Sequence, residues 1–175
     1  MNEFEKIKLA VERTKKALTI KPSLGKGTGI SKVRIKNGLT CEVQEGNWKF
    51  LVDMPGSVGG NAAGPTPGVF GRAAFGSCLA IGYMMKAAEM NIPIQHLEVE
   101  VQADYDDGAL FGTTQNVPAG YLEVRYTVTI ESDASEEQIQ NMLDVADAQS
   151  PYLDVFSRAQ TCKRQVNIVS SKTIV

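Results

Sequence analysis

The chain has 175 residues, 43% of them hydrophobic and 22% charged, with 16 Gly and 7 Pro; this size and balance predict one folded domain and exclude a disordered, collagenous or coiled-coil chain. Eighteen Lys and Arg against 20 Asp and Glu leave a formal net charge of −2, so no global field draws it to nucleic acid or anionic lipid. The uncharged apolar run at 73–85 is too short to cross a bilayer, and the start, Met1 to Lys6, mixes charge signs without an apolar export segment. A cytoplasmic protein with no membrane and no nucleic-acid partner is expected.

Phe4, Ile7, Val11 and Leu18 recur near helical spacing among Glu and Lys, which predicts an amphipathic helix over 2–19 that stops ahead of Pro22 and Gly25. Residues 21–29 hold Pro, Ser and three Gly and read as a linker. Helix and linker, 1–30, are thereby set apart from a main domain, 31–175. From 31 to 53 the period becomes two: Val33 and Ile35, then 39–43, then Trp48, Phe50 and Val52. Asn37-Gly38 and Glu45-Gly46-Asn47 separate these runs and tolerate positive φ, so three antiparallel strands are expected, with Trp48 in the strand core.

Residues 54–68 are rich in Gly, Pro and Ala and read as an irregular loop. A helix is expected over 69–90, dense in small residues that include Gly71, Gly76 and Gly82. Each interior glycine costs roughly 1 kcal/mol relative to Ala, so another element must approach the helix closely. Leu97, Val99, Val101 and Ala103 alternate with polar residues, as do Leu122, Val124, Tyr126, Val128 and Ile130. Two strands with one wet face follow, paired across the loop 104–120. Ser135-Glu136-Glu137-Gln138 is a capping-box pattern ahead of the stripe Ile139, Met142, Leu143 and Ala146, which predicts a helix over about 136–148. After Ser150-Pro151, residues 152–156 fit a short helical turn and 165–169 alternate as a last strand. The order α, βββ, α, ββ, α, β predicts an α+β domain with helices packed on an antiparallel or mixed sheet.

Three cysteines, Cys41, Cys78 and Cys162, are an odd number at wide spacing, neither a disulfide framework nor a zinc ligand set. Cys78 is the first candidate for chemistry, although a lone helical Cys also fits as a small core hydrophobe. It lies about ten residues into its helix, beyond reach of the macrodipole. Arg72, six residues earlier, projects roughly 120° away around the helix, so a cation to lower the thiol pKa must come from another element or chain. Residues 104–108 resemble the start of a calcium loop but lack its later ligands, position 115 being Gln. The Gly/Pro loop has no phosphate-binding motif, and His96, the sole histidine, stands outside every cluster. No metal and no cofactor is expected.

The run from Pro65 to Gly68, the stretch Arg72-Ala73-Ala74-Phe75-Gly76-Ser77-Cys78-Leu79-Ala80, the alternating strand at 97–103 and Ser150-Pro151 after a helix resemble the OsmC/Ohr family of osmotically inducible and organic-hydroperoxide-resistance proteins, from about 31 to 169. The resemblance implies an OsmC-like intertwined homodimer, with sheets from both chains wrapped around two central helices and thiol sites at the subunit interface. It also implies reduction of organic hydroperoxides: a thiolate attacks the O–O bond, becomes a sulfenic acid, and condenses with a second cysteine to a disulfide that a dithiol reduces.

Cys78 occupies the attacking position of that pattern, whereas the second-cysteine position holds Ser150, and a hydroxyl closes no disulfide. The family's glutamate near the start of the central helix corresponds by spacing to Gly68, and the early strand region offers Arg34, Lys36 and Asn37 where a catalytic arginine is expected. An active chain would therefore need an external thiol reductant, or Cys41 or Cys162 as the resolving thiol; Cys162 is followed by two cations, Lys163 and Arg164. Two functions stay open. One is thiol-dependent reduction of a small organic hydroperoxide with Cys78 as nucleophile; the other is a catalytically silent dimer that binds a small hydrophobic ligand or a protein partner.

Overall fold

Asn2 opens the first helix with a capping box: its side chain accepts from the Glu5 amide at 2.8 Å, and the Glu5 carboxylate accepts from the Asn2 amide at 3.0 Å. In the computed structural model, which describes residues 1–169, this helix, α1, spans Glu3–Ile20 and a 3-10 turn follows at Pro22–Gly25. The expected main domain, 31–175, runs past the described residues at its end. Lys15 of α1 pairs with Glu89, which Lys86 also contacts at 2.7 Å, and Lys8 donates to Asn91 at 2.6 Å. The hydrogen bonds from Lys15 and then Lys86 hold the Glu89 carboxyl below its usual range.

The strands β1 (Lys32–Asn37), β2 (Thr40–Glu45) and β3 (Trp48–Val52) form one antiparallel sheet in sequence order. Their turns place Gly38 and Gly46 at φ of 55° and 54°, where a Cβ is disfavoured. Every residue of β1 is exposed, as are all of β3 but Val52. Trp48, expected in the strand core, is 78% exposed: alternation gives the pleat, but among the described residues no layer covers that end of the face. Phe50, two residues on along the same face and itself 40% exposed, stacks its ring on Phe70 at 4.9 Å.

β3 delivers Asp53 to a buried position, where its carboxylate accepts from Thr40 Oγ1 at 2.8 Å and from the amides of Met54, Asn61 and Ala63 at 2.7, 3.1 and 3.1 Å. The Gly/Pro loop is thus folded around one carboxylate. Its backbone packs so tightly that a Cβ on Gly60 would sit 1.8 Å from the Met54 carbonyl oxygen, and one on Gly64 2.4 Å from that of Leu51.

Helix α2 spans Pro67–Met90, starting two residues before the expected 69 because Pro67 serves as its first residue. By length and composition it could cross a membrane. Here it is the central helix: Phe75, Leu79, Tyr83 and Ala87, four residues apart, form the core with Ile92, Met142 and Ala146. Close approach accounts for two of its glycines, since a Cβ on Gly76 would lie 3.1 Å from Val101 Cγ2 and one on Gly71 3.4 Å from the Tyr121 hydroxyl. Among the described residues nothing lies within 4 Å of a Cβ on Gly82, and its neighbour Ile81 is 61% exposed.

β4 (His96–Asp104) and β5 (Glu123–Glu131) pair antiparallel with strict alternation of exposure, Leu97, Val99 and Val101 facing α2 together with Val124, Tyr126 and Val128. β5 begins at Glu123, so Leu122 lies outside the strand although its amide reaches the Asp104 carbonyl at 2.7 Å. α3 (Glu136–Asp147) carries the expected capping box at Ser135 and Gln138. α4 (Pro151–Ser157) is a full short helix rather than a single turn. The expected strand at 165–169 is absent: these residues are coil, Ile168 being 91% exposed, because alternation makes a strand only beside an edge that pairs with it. The chain is therefore α+β, with two antiparallel sheets.

Candidate functional site

Cys78 sits midway along α2, half-buried, with its Sγ 3.8 Å from the Oγ of Ser150. Ser150 is 9% exposed and caps α4: its Oγ accepts from the Leu153 amide at 3.3 Å, and its own amide donates to the Asp147 carbonyl at 3.1 Å. The hydroxyl oxygen keeps a second lone pair beside the amide it accepts from, so either atom of the Cys78–Ser150 contact could be the donor. α4 is held against α2 by Phe156, whose ring meets Phe75 at 4.8 Å. The two positions singled out in the sequence, 78 and 150, are thus brought together by the α3–α4 turn.

The other candidates lie elsewhere. Cys41 is half-buried on β2 with its sulfur 3.7 Å from the Leu39 carbonyl, Cys162 is exposed in the coil after α4, and all three thiols are free. Lys36 of β1 pairs with Glu42 at 3.5 Å, and Arg34 is exposed opposite Glu42 in the ladder. Arg72 turns toward the start of α2, where a Cβ on Gly68 would meet its Nη1 at 3.3 Å, and the Gly68 carbonyl accepts from the Tyr121 hydroxyl at 3.2 Å. It lines a cleft with Gly76, Val99 and Val101 from which Cys78 is absent, as the helical angle predicts. Among the described residues, no lysine or arginine hydrogen-bonds the Cys78 sulfur, and no His/Cys/Asp/Glu cluster could hold a metal.

Two carboxylates escaped the sequence reading, one buried and one half-buried. Asp53 bears a burial cost that opposes ionisation, yet four hydrogen bonds, from Thr40 first, bring its pKa below the ordinary value. Asp147 accepts from Tyr83 Oη at 2.6 Å and from Tyr126 Oη at 2.9 Å. Burial, and then the bond to Asp147, push both phenols above their usual range, so they remain donors. The signal was present for Asp147: it follows Leu143 by four residues, in phase with the apolar stripe of α3. An apolar groove of about 420 Å³ also runs between α1, α2 and β4, lined by Ile7, Ile81, Met84, Met85 and Leu97 with His96 at its edge.

A family profile described as OsmC-like protein matches residues 59–164, from the Gly/Pro loop through both members of the Cys78–Ser150 pair. The chain belongs to the OsmC-like family. An OsmC-like protein from Mycoplasma pneumoniae is similar in structure, with a TM-score of 0.64 at 16% identity, over 75% of this chain and 88% of that one. The organic hydroperoxide resistance protein OsmC from Legionella pneumophila gives 0.54 at 16% identity, over 74% and 89%. An organic hydroperoxide resistance protein from Elizabethkingia anophelis gives 0.56 at 19%, over 74% and 88%. At such identities the likeness concerns the fold. No curated protein matches the chain.

Proposed function

We propose that the protein is an oxidative-stress protein that reduces small organic hydroperoxides, with Cys78 as the nucleophile and an external thiol as the reductant. The observation that carries this reading is the 3.8 Å approach of the Cys78 sulfur to Ser150, at the two positions that the family pattern gives to its reacting thiols. In the first step the Cys78 thiolate attacks the peroxide oxygen distal to carbon. The O–O bond breaks, the alkoxide takes a proton and leaves as the alcohol, and the sulfur, oxidised by two electrons, becomes a sulfenic acid. A thiol from solution then condenses with the sulfenic acid, releasing water and leaving a mixed disulfide. A second thiol then attacks the mixed disulfide, releases the Cys78 thiolate and leaves with the first as a small disulfide, the two thiols having supplied the two electrons. Ser150 supplies a proton donor to the sulfur and no resolving sulfur; Cys41 and Cys162, on separate elements, are not needed.

The reading includes a homodimer in which a second copy covers the bare faces of β1–β3 and the α2 surface at Ile81, Gly82 and Met85. It also includes a reducing, cytoplasmic setting, which three free thiols fit. A second reading, a catalytically silent dimer that binds a small hydrophobic ligand, is favoured by the lack of a cation on the Cys78 sulfur among the described residues and by the groove beside Met84 and Met85.

Peroxide consumption decides between them. With cumene hydroperoxide and excess dithiothreitol, the full chain should consume peroxide above the buffer rate. Cys78→Ser should abolish this, while Cys41→Ser and Cys162→Ser keep it. No turnover in the parent chain leaves the binding reading alone, and turnover that persists in Cys78→Ser removes Cys78 as the nucleophile.

A further inference from the structure

Asp147 is the residue where three parts of the fold meet at the turn before Ser150. Its Oδ1 accepts from Tyr83 of α2, its Oδ2 from Tyr126 of β5, and its carbonyl accepts from the Ser150 amide. Tyr83 is fully buried and lies five residues beyond Cys78 on the same helix, so its hydroxyl is a fixed reference for the sulfur. From that reference the path to the Ser150 side chain has only two hydrogen-bonded steps, of 2.6 and 3.1 Å, and both pass through Asp147. A carboxylate that ties one buried and one half-buried phenol is more than α3 needs to end; the apolar contacts of Met142 and Ala146 already fix that helix to α2.

We infer that Asp147 is a positioning residue: clamped by Tyr83 and Tyr126, it holds the side chain at position 150 against the Cys78 sulfur. The inference rests on the reading that positions 78 and 150 form the reactive site, and it concerns geometry rather than turnover. Tyr126 matters as much as Tyr83, because two donors on the two oxygens fix the carboxylate plane where one leaves it free to rotate.

The test uses a disulfide as a ruler and needs no peroxide. In the full chain carrying Cys41→Ser and Cys162→Ser, the further change Ser150→Cys lets glutathione disulfide oxidise Cys78 and the introduced thiol, yielding two glutathiones. The equilibrium gives an effective concentration of one thiol at the other, a quantity set by placement. Asp147→Asn should lower it by roughly tenfold, with Tyr126→Phe, which leaves the carboxylate charge untouched, lowering it in the same direction. Far-UV circular dichroism checks that each variant is folded, and where Asp147→Asn is not, Tyr126→Phe decides. An effective concentration unchanged in the folded variants, or no disulfide in Ser150→Cys itself, overturns the inference. A parent chain that fails to consume hydroperoxide while the ruler shifts as expected removes the proposed activity and leaves the role of Asp147 standing.

Discussion

On the proposed reading the hydroxyl of Ser150 stands where a sulfur would close the reaction, and the exchange alters more than the resolving step. Its oxygen accepts from the Leu153 amide, and in the contact with Cys78, where either atom could be the donor, a hydroxyl that donates stabilises a thiolate. A hydrogen bond to a charged acceptor typically contributes about 1.5–3 kcal/mol, and the long contact to sulfur, 3.8 Å, places the effect at or below the lower end. Ser150→Ala should therefore slow alkylation of Cys78 by iodoacetamide at pH 7 by about threefold to tenfold, read in a chain whose other two cysteines are serine. An unchanged rate would mean that the hydroxyl points its proton elsewhere.

Asp53 shows how one residue organises an element with no regular structure. The loop between β3 and α2 has little apolar side chain to bury, and its amides find their acceptor in a carboxylate with two oxygens. Because the folded pKa is lowered from 3.8, the contribution to stability is fully present above the unfolded value and is lost as pH falls through the folded one. Urea unfolding should show a fall in stability as pH drops from about 4 toward 2, and Asp53→Asn should show a smaller fall over that window from a lower stability at pH 7. An equal fall in both would assign the acid sensitivity to other carboxylates.

The same loop marks the boundary of what was legible in the sequence. Periodicity placed α2, β4, β5 and α3 to within a few residues, and the wet faces of β4 and β5 alternate as read, because burial there is decided by neighbours in the same chain. It did not reveal that Asp53 is an interior acid or that Asp147 ties two phenols, since such a carboxylate is licensed by donors distant in sequence, at 40, 61, 83 and 126. The side chain of Trp48 and the segment at 165–169 were misread for a related reason: alternation promises a partner, and the described residues supply none. The pairing of 78 with 150 was available only through family resemblance.

At the scale of the molecule, α2 is covered by α1, α3, α4 and β4 and still presents Ile81, Gly82 and Met85 to the outside. A glycine there costs roughly 1 kcal/mol against Ala, with no contact among the described residues to require it; the crossing helix of the proposed homodimer would. If that dimer forms, Gly82→Leu should shift it toward monomer in sedimentation velocity while its far-UV circular dichroism is kept. If the variant sediments as the parent does, the helices do not meet at Gly82.

The uncovered three-stranded sheet, with β1 and β3 both at open edges, also bears on the birth of the protein. Such ribbons template self-pairing, so under the proposed dimer a chain leaving the ribosome spends its first moments adhesive until another arrives. Recovery from denaturant should then be a second-order race between correct partnering and clumping, with yield peaking at an intermediate dilution.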